Sequence, residues 1–285
     1  MVNLDQDLVD PEIGQEFMLG WKMLKYFNFY KIPESKRFIV KIQNAIVRTV
    51  VLLLHGTYHN FFSAKLLVAT GYPWMTSVLT EVIDLADEST TCDTLDDHPI
   101  QVTRASGGLI NGSLPLICGV WNGNGDCYIA GIATRDPVVK LLTPRDGSAA
   151  VAMGSHQLWI TGGYDDSSED VMFTEIVDFT SSPASVVRGP ELPMPMDGHC
   201  IVKLNESTVL FMYRYKTFFF DYSAQAWTNG PDMSYDRYDF GCAIVKWGYG
   251  SSRVVVAGSV YGEGGSTSEF LMLDDPNGLK WSAGK

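Results

Sequence analysis

A chain of 285 residues, 46% hydrophobic and 19% charged, is long enough for one large all-β domain or two ordinary ones and apolar enough for a sizeable core. Its formal charge of −12 and the lack of any run of five basic residues exclude wholesale nucleic-acid binding, which needs a basic stripe facing the phosphates. No stretch of 18 apolar residues occurs, so no transmembrane helix is expected, and five cysteines without a Cys-x-x-Cys pair do not indicate a zinc knuckle.

Residues 1–64 stand apart as an N-terminal extension. Up to about residue 36 the irregular apolar pattern of Phe17, Leu19, Trp21, Met23, Leu24 and Phe27 reads as helical, and Pro33 interrupts it. Arg37, Lys41 and Arg48 then precede the apolar run Thr49–Leu54, and Phe61-Phe62-Ser63-Ala64 follows. A basic stretch, a short apolar run and a small residue describe a secretory signal peptide, here around residues 41–64. Its place some 40 residues inside the chain leaves two readings open. Either translation starts downstream of Met1, or the segment is helical and packs on the domain that follows. His55 and His59, close behind the run, count against a signal peptide.

From Lys65 to Lys285 short apolar runs alternate with turn residues. Trp159-Ile160-Thr161-Gly162-Gly163 has four degraded echoes: Leu67–Gly71, Leu116–Gly119, Val209–Tyr213 and Val254–Gly258. Aligned on Gly71, Gly119, Gly162, Tyr213 and Gly258, they are 48, 43, 51 and 45 residues apart. Such a period marks stacked copies of one supersecondary unit. The clearest copy holds four strands: His199–Leu204, Val209–Tyr213, Phe218–Tyr222 and one centred on Ala226-Trp227. Four strands in so short a span make a propeller blade.

The order of elements resembles the kelch-repeat family: an apolar run closed by Gly-Gly, a strand ending in an acidic residue, a tryptophan, then a Pro-x-Met turn and an arginine. Trp159–Gly163 is followed by Thr174-Glu175-Ile176-Val177-Asp178-Phe179, and Thr80-Glu81-Val82-Ile83-Asp84-Leu85 nearly repeats that hexapeptide 94 residues earlier. Phe218, Trp227, Pro231-Asp232-Met233, Arg237 and Gly241 match in order, and Phe270–Asp274 with Trp281 repeats the end of the unit. The resemblance implies an all-β, kelch-type β-propeller of four-stranded antiparallel blades over residues 65–285, with about five blades present. Four of these are complete and the first lacks its inner strand. Kelch propellers usually have six or seven blades, so a truncated or mispredicted fragment of a longer protein is expected. Departures from the pattern are the missing glycine at Tyr213 and Val138–Leu142 in place of a late tryptophan.

Three chemistries are open to this scaffold. A galactose-oxidase-like enzyme needs two histidines and two tyrosines converging on copper, but His98, His156 and His199 begin or edge different strands. A sialidase-like enzyme needs an arginine cluster; Arg104, Arg145 and Arg237 fall near inner-strand entrances, yet an Asp-box pattern is absent. The third is non-catalytic binding of a protein or glycan through blade-end loops, with Tyr72, Trp74, Trp121, Tyr164, Asp165, Asp166 and Tyr261 as the candidate residues. No catalytic residue, metal or cofactor is assigned. The intracellular alternative, a substrate-recognition adaptor of a ubiquitin ligase, usually carries a BTB or F-box domain upstream, and 64 residues cannot hold a BTB domain.

Cys118 and Cys127 flank a Gly-rich hairpin turn and could form a disulfide in an oxidising compartment. Cys200 and Cys242, placed at equivalent points of successive inner strands, are expected to be buried thiols. Asn111-Gly112-Ser113 and Asn205-Glu206-Ser207 are glycosylation sequons in turns between strands, in keeping with a secreted protein.

Overall fold

The computed structural model describes residues 50–58, 61–69, 78, 80–84, 93–101, 104–119, 125–132, 134, 136–247, 251–260, 263–275 and 278–284. The fold is all-β. Four antiparallel sheets of four strands follow one another as propeller blades. Blade I holds β5 (Ser106–Ile110), β6 (Leu114–Cys118), β7 (Asp126–Ile129) and β8 (Val139–Lys140). Blade II holds β9 (Ala149–Met153), β10 (Gln157–Thr161), β11 (Phe173–Asp178) and β12 (Ser185–Glu191). Blade III holds β13 (Cys200–Lys203), β14 (Thr208–Tyr213), β15 (Lys216–Asp221) and β16 (Ala226–Asn229). Blade IV holds β17 (Gly241–Trp247), β18 (Ser251–Ala257), β19 (Ser268–Met272) and β20 (Trp281–Ala283).

A further sheet of β1 (Val50–Tyr58), β2 (Phe61–Ala69), β3 (Thr80–Asp84) and β4 (Asp93–Thr94) precedes blade I. Leu67 and Val82 of this sheet pack against Leu109, Ile117 and Ala130. The expected count of about five blades is thereby corrected to four blades plus this sheet. Its inner edge is not missing: Val50–Tyr58 pairs along its length with Phe61–Ala69. Val50–Leu54, from the run read in the sequence as the apolar part of a signal peptide, lie in this strand. A short run of Val and Leu satisfies a strand as well as a leader. The helical reading of the segment before residue 37 lies outside the described residues. Among the described residues the helical content is a 3-10 turn at Glu263–Ser266, and no helix is long and apolar enough to cross a membrane.

Alternation along the strands builds the core between blades. On β14, Val209 and Phe211 face blade II while Leu210 and Met212 face blade IV. On β10, Leu158 and Ile160 face blade I and Trp159 faces blade III, where its ring meets Phe211 and Phe220 at 5.4 and 5.2 Å. Strands buried on both faces explain why the runs are continuously apolar rather than alternating.

The repeated polar residues tie blade to blade. Trp227 Nε1 donates to the Glu191 carbonyl of blade II at 2.9 Å, and Trp281 Nε1 to the Pro231 carbonyl beyond blade III at 3.1 Å. Arg145, between blades I and II, and Glu175 on β11 form an ion pair with both side chains fully buried. Arg237 and Glu269 repeat it one blade pair later at 2.9 Å. Glu175 also accepts the Leu142 and Thr143 amides, and Arg237 donates to the Gly258, Gly264 and Thr267 carbonyls. Burial lowers the pKa of both arginines, opposed by their glutamates. Two of the arginines considered for a sialidase-like cluster are therefore structural pins.

Candidate functional site

Antiparallel meanders sort the loops by end. The connections between blades and the turns between second and third strands emerge at one end, called here the loop face. The turns between first and second strands and between third and fourth strands emerge at the other.

At the centre of the loop face four equivalent residues, one before each inner strand, join hands. The Gly147 amide donates to the Arg104 carbonyl at 3.1 Å, Gly198 to Gly147 at 3.0 Å and Asp239 to Gly198 at 3.0 Å. All four adopt left-handed backbone, with φ of 52°, 69°, 62° and 53° from Arg104 to Asp239. Glycine meets that demand without cost at two of them. The other two carry side chains.

The Arg104 guanidinium fills the mouth of this collar. It donates to Asp146 at 3.3 Å, to Asp197 at 3.2 Å and to the Tyr238 hydroxyl at 3.0 Å, so one side chain from blade I touches the three entrances that follow. Asp197 is 2% exposed and also accepts from the Tyr213 hydroxyl at 3.4 Å. The Tyr164 phenol is pushed up to about 12 by burial first and then by Asp197, with which it hydrogen-bonds. Burial also raises Tyr213, opposed by its hydrogen bond with Arg214. Arg214 lies 5.2 Å from the Tyr238 ring and pairs with Asp236 at 3.4 Å. Two carboxylates, one central cation and a rim of tyrosines make a preorganised polar surface.

Of the predicted loop residues, the structure places Tyr164, Asp165 and Asp166 together at this face. Tyr164 bridges Asp146 on one side and Asp170 on the other. The Asp165 carboxylate caps its own loop by accepting the Ser167 and Glu169 amides at 2.9 Å each, and Asp166 is exposed. Tyr72, Trp74, Trp121 and Tyr261 lie outside the described residues. The residues that sequence reasoning passed over are Arg104 as the hub, Asp146, Asp197, Tyr213 and Tyr238. Their signal was present: Arg104, Asp146, Asp197 and Tyr238 lie at the inner-strand entrances, and Tyr213 closes the second strand where other units carry glycine, so alignment of the units brings equivalent positions to one end.

The histidines do not converge. His98 is buried and bonds the Ile100 carbonyl through Nδ1 at 2.8 Å; burial lowers its pKa. His156 sits in the β9–β10 turn at the far end, hydrogen-bonded to Ser155. His199 Nε2 pairs with the Thr161 hydroxyl at 2.7 Å. Among the described residues no three His, Cys, Asp or Glu side chains are arranged to hold a metal ion.

Both cysteine pairs are disulfides. Cys118–Cys127 joins β6 to β7 directly across the ladder, with Cα atoms 4.2 Å apart, as the hairpin spacing predicts. Cys200–Cys242 is a correction, because free buried thiols were expected there. The collar register gives the reason. Gly198 and Asp239 are equivalent, so Cys200 matches Gly241 and Cys242 matches Ile201. The cysteines are offset by one residue, and with period 2 their side chains face each other across the blade III–IV interface, Cα atoms 6.1 Å apart. The sequons lie at the opposite end from the loop face: Asn111 in the β5–β6 turn and Asn205 in the β13–β14 turn, both exposed.

No protein-family model matches the chain, and no curated protein matches it either.

Proposed function

We propose that this chain is a kelch-repeat propeller acting as a non-catalytic binding protein outside the cell, engaging a protein or glycan partner through the loop face. The observation that carries the reading is the segregation of the two ends. Tyr164, whose ring lies 5.9 Å from the Arg104 guanidinium, and the following loop with Asp165 and Asp166 stand at one end, and both sequons occupy the other. Partner contact at the loop face and glycan at the far end are sterically compatible. The kelch assignment is supported by the order of glycine, acidic residue, tryptophan and arginine, and by the physical work of the last three: Glu175 and Glu269 hold Arg145 and Arg237, while Trp227 and Trp281 reach back to the preceding blade. Two disulfides support an oxidising compartment and count against a cytosolic adaptor.

Expression in insect cells with intact-mass analysis before and after glycosidase tests the compartment. Secretion with glycan at Asn111 or Asn205 and four cysteines oxidised is expected; retention in the cytosol with all thiols free overturns it. Capture from extracellular fluid tests the face. Partner binding is expected to fall for a Tyr164→Ala/Asp166→Asn variant and to persist for Asn111→Gln/Asn205→Gln. The reverse pattern sinks the assignment.

A further inference from the structure

We propose that the groove beside the β14–β15 turn of blade III is a binding site for a neutral saccharide. The inference rests on the loop face being a binding surface and names a ligand class for one part of it.

The groove has a volume of about 600 Å3, within the range of roughly 300–1,000 Å3 typical of small-molecule sites. Its origin is legible in the repeat. At the position of the Arg145–Glu175 and Arg237–Glu269 pairs, blade III carries Met196 and Phe218, so nothing there is pinned by a buried ion pair. Its β14–β15 turn is only Arg214-Tyr215, whereas the matching loop of blade II runs from Gly162 to Met172. The short turn leaves open what the longer loop covers elsewhere.

The lining excludes other ligand classes. Met194, Tyr213 and Phe218 pack onto the blade II–III core and give an apolar, partly aromatic floor. Around it the charges are already matched: Lys216 Nζ meets Asp232 at 2.8 Å, and Arg214, on the turn, meets Asp236 at 3.4 Å. An anionic or cationic ligand would have to break one of these pairs. An apolar side chain would strip water from Lys216, Asp232 and Asn229 without replacing its hydrogen bonds. A sugar does neither. Each hydroxyl both donates and accepts, so a vicinal pair can bridge the ammonium and carboxylate of Lys216 and Asp232, and the C–H face of the ring can lie on the aromatic floor. Tyr215, 47% exposed at the rim, carries the Lys216 ammonium 4.7 Å from its ring centre and offers its other face as a second flat surface.

The test uses the full chain with maltotriose, chitotriose, mannotriose and lactose as probes, read by saturation-transfer NMR and calorimetry. Sialyllactose and a leucine-rich tripeptide serve as charged and apolar comparisons. The expected result is transfer to the ring C–H protons of at least one neutral probe, weakened about tenfold or more in Tyr215→Ala and in Asp232→Ala. Tyr215→Phe should retain binding, and thermal unfolding of all three variants should match the wild type. The site is overturned if none of the four neutral probes binds, if binding survives both alanine variants, or if the charged or apolar probe binds more tightly. Partner capture that still depends on Tyr164 and Asp166 while every saccharide fails would overturn the groove alone. Saccharide binding at Tyr215 with capture independent of Tyr164 and Asp166 would overturn those loop residues as the partner contact and leave the groove standing.

Discussion

Arg104 and Asp197, 93 residues apart in the chain, meet at 3.2 Å across the mouth of the collar and connect blade I to the entrance of blade III. Asp146 contributes a second carboxylate to the same guanidinium at 3.3 Å. Replacing Arg104 by Met leaves two largely buried carboxylates without their cation. The expected loss is about 1–3 kcal/mol, below that of a fully buried pair because the Arg104 side chain is 24% exposed. Denaturant unfolding measures it, and a variant as stable as wild type would show that the hub is only decorative.

The inter-blade disulfide spans a loop of 42 residues between β13 and β17. Cys200→Ser with Cys242→Ser should lower stability by about 2–4 kcal/mol. Peptide mapping without reductant should find Cys200 joined to Cys242 and Cys118 to Cys127. Quantitative alkylation of all five cysteines would contradict both bonds.

Glu269→Ala strands the fully buried Arg237 and is expected to cost about 3–5 kcal/mol. Blade III shows an apolar solution at the same place, Met196 with Phe218. The double variant Arg237→Met/Glu269→Phe should therefore recover much of the loss, because no unpaired charge remains. A double variant less stable than Glu269→Ala would show that the carbonyl contacts of Arg237 outweigh the pair.

Gly163 has a φ of 91°, and a Cβ there would meet the Asp146 carbonyl and the Ser148 amide. Gly154 has a φ of 71° but open space around it. Gly163→Ala should cost more than about 2 kcal/mol, whereas Gly154→Ala should cost about 1 kcal/mol from backbone strain alone. Equal losses would place the cost in φ rather than in the close approach.

Tyr164, raised to about 12, binds its proton more tightly in the folded chain than in the unfolded one, where a tyrosine titrates near 10. Its contribution is complete below pH 10 and is lost as pH rises through the interval to about 12. His98, lowered by burial, acts on the acid side: its contribution is present above about pH 6.5 and falls away as pH drops below that value. Denaturant midpoints against pH should therefore decline at both ends. Tyr164→Phe should make the alkaline limb shallower without removing it, because burial also raises Tyr213 and Tyr128, and should leave the acid limb alone; an unchanged alkaline limb would remove Tyr164 as a contributor.

Repeat period, strand content and the local disulfide were set by short-range information. A run such as Val209–Met212, apolar at successive positions, specifies a strand buried on both faces whatever surrounds it, and the spacing of Cys118 and Cys127 allows a bond across one hairpin. Glycine, glutamate, tryptophan and arginine recur at fixed offsets in those blades that solve the packing problem in the same way. Four relationships needed the tertiary structure. The segment Val50–Tyr58 carries an apolar pattern that suits a leader, a helix or a strand, and its pairing with Phe61–Ala69 as a strand is a long-range relationship that the pattern does not contain. The one-residue offset of Cys200 and Cys242 is invisible until the collar sets the register between blades. Arg104, Arg145 and Arg237 look alike in sequence, yet two are buried pins and one is the polar hub, because of the three only Arg104 stands at a left-handed collar position, while Arg145 and Arg237 stand two residues before one. The groove of blade III follows from losses, a glycine, an arginine and a glutamate, whose consequence depends on what fills the space in neighbouring blades. Sequence patterns record what each strand buries; the distances between blades, which no local pattern contains, decide which buried groups meet.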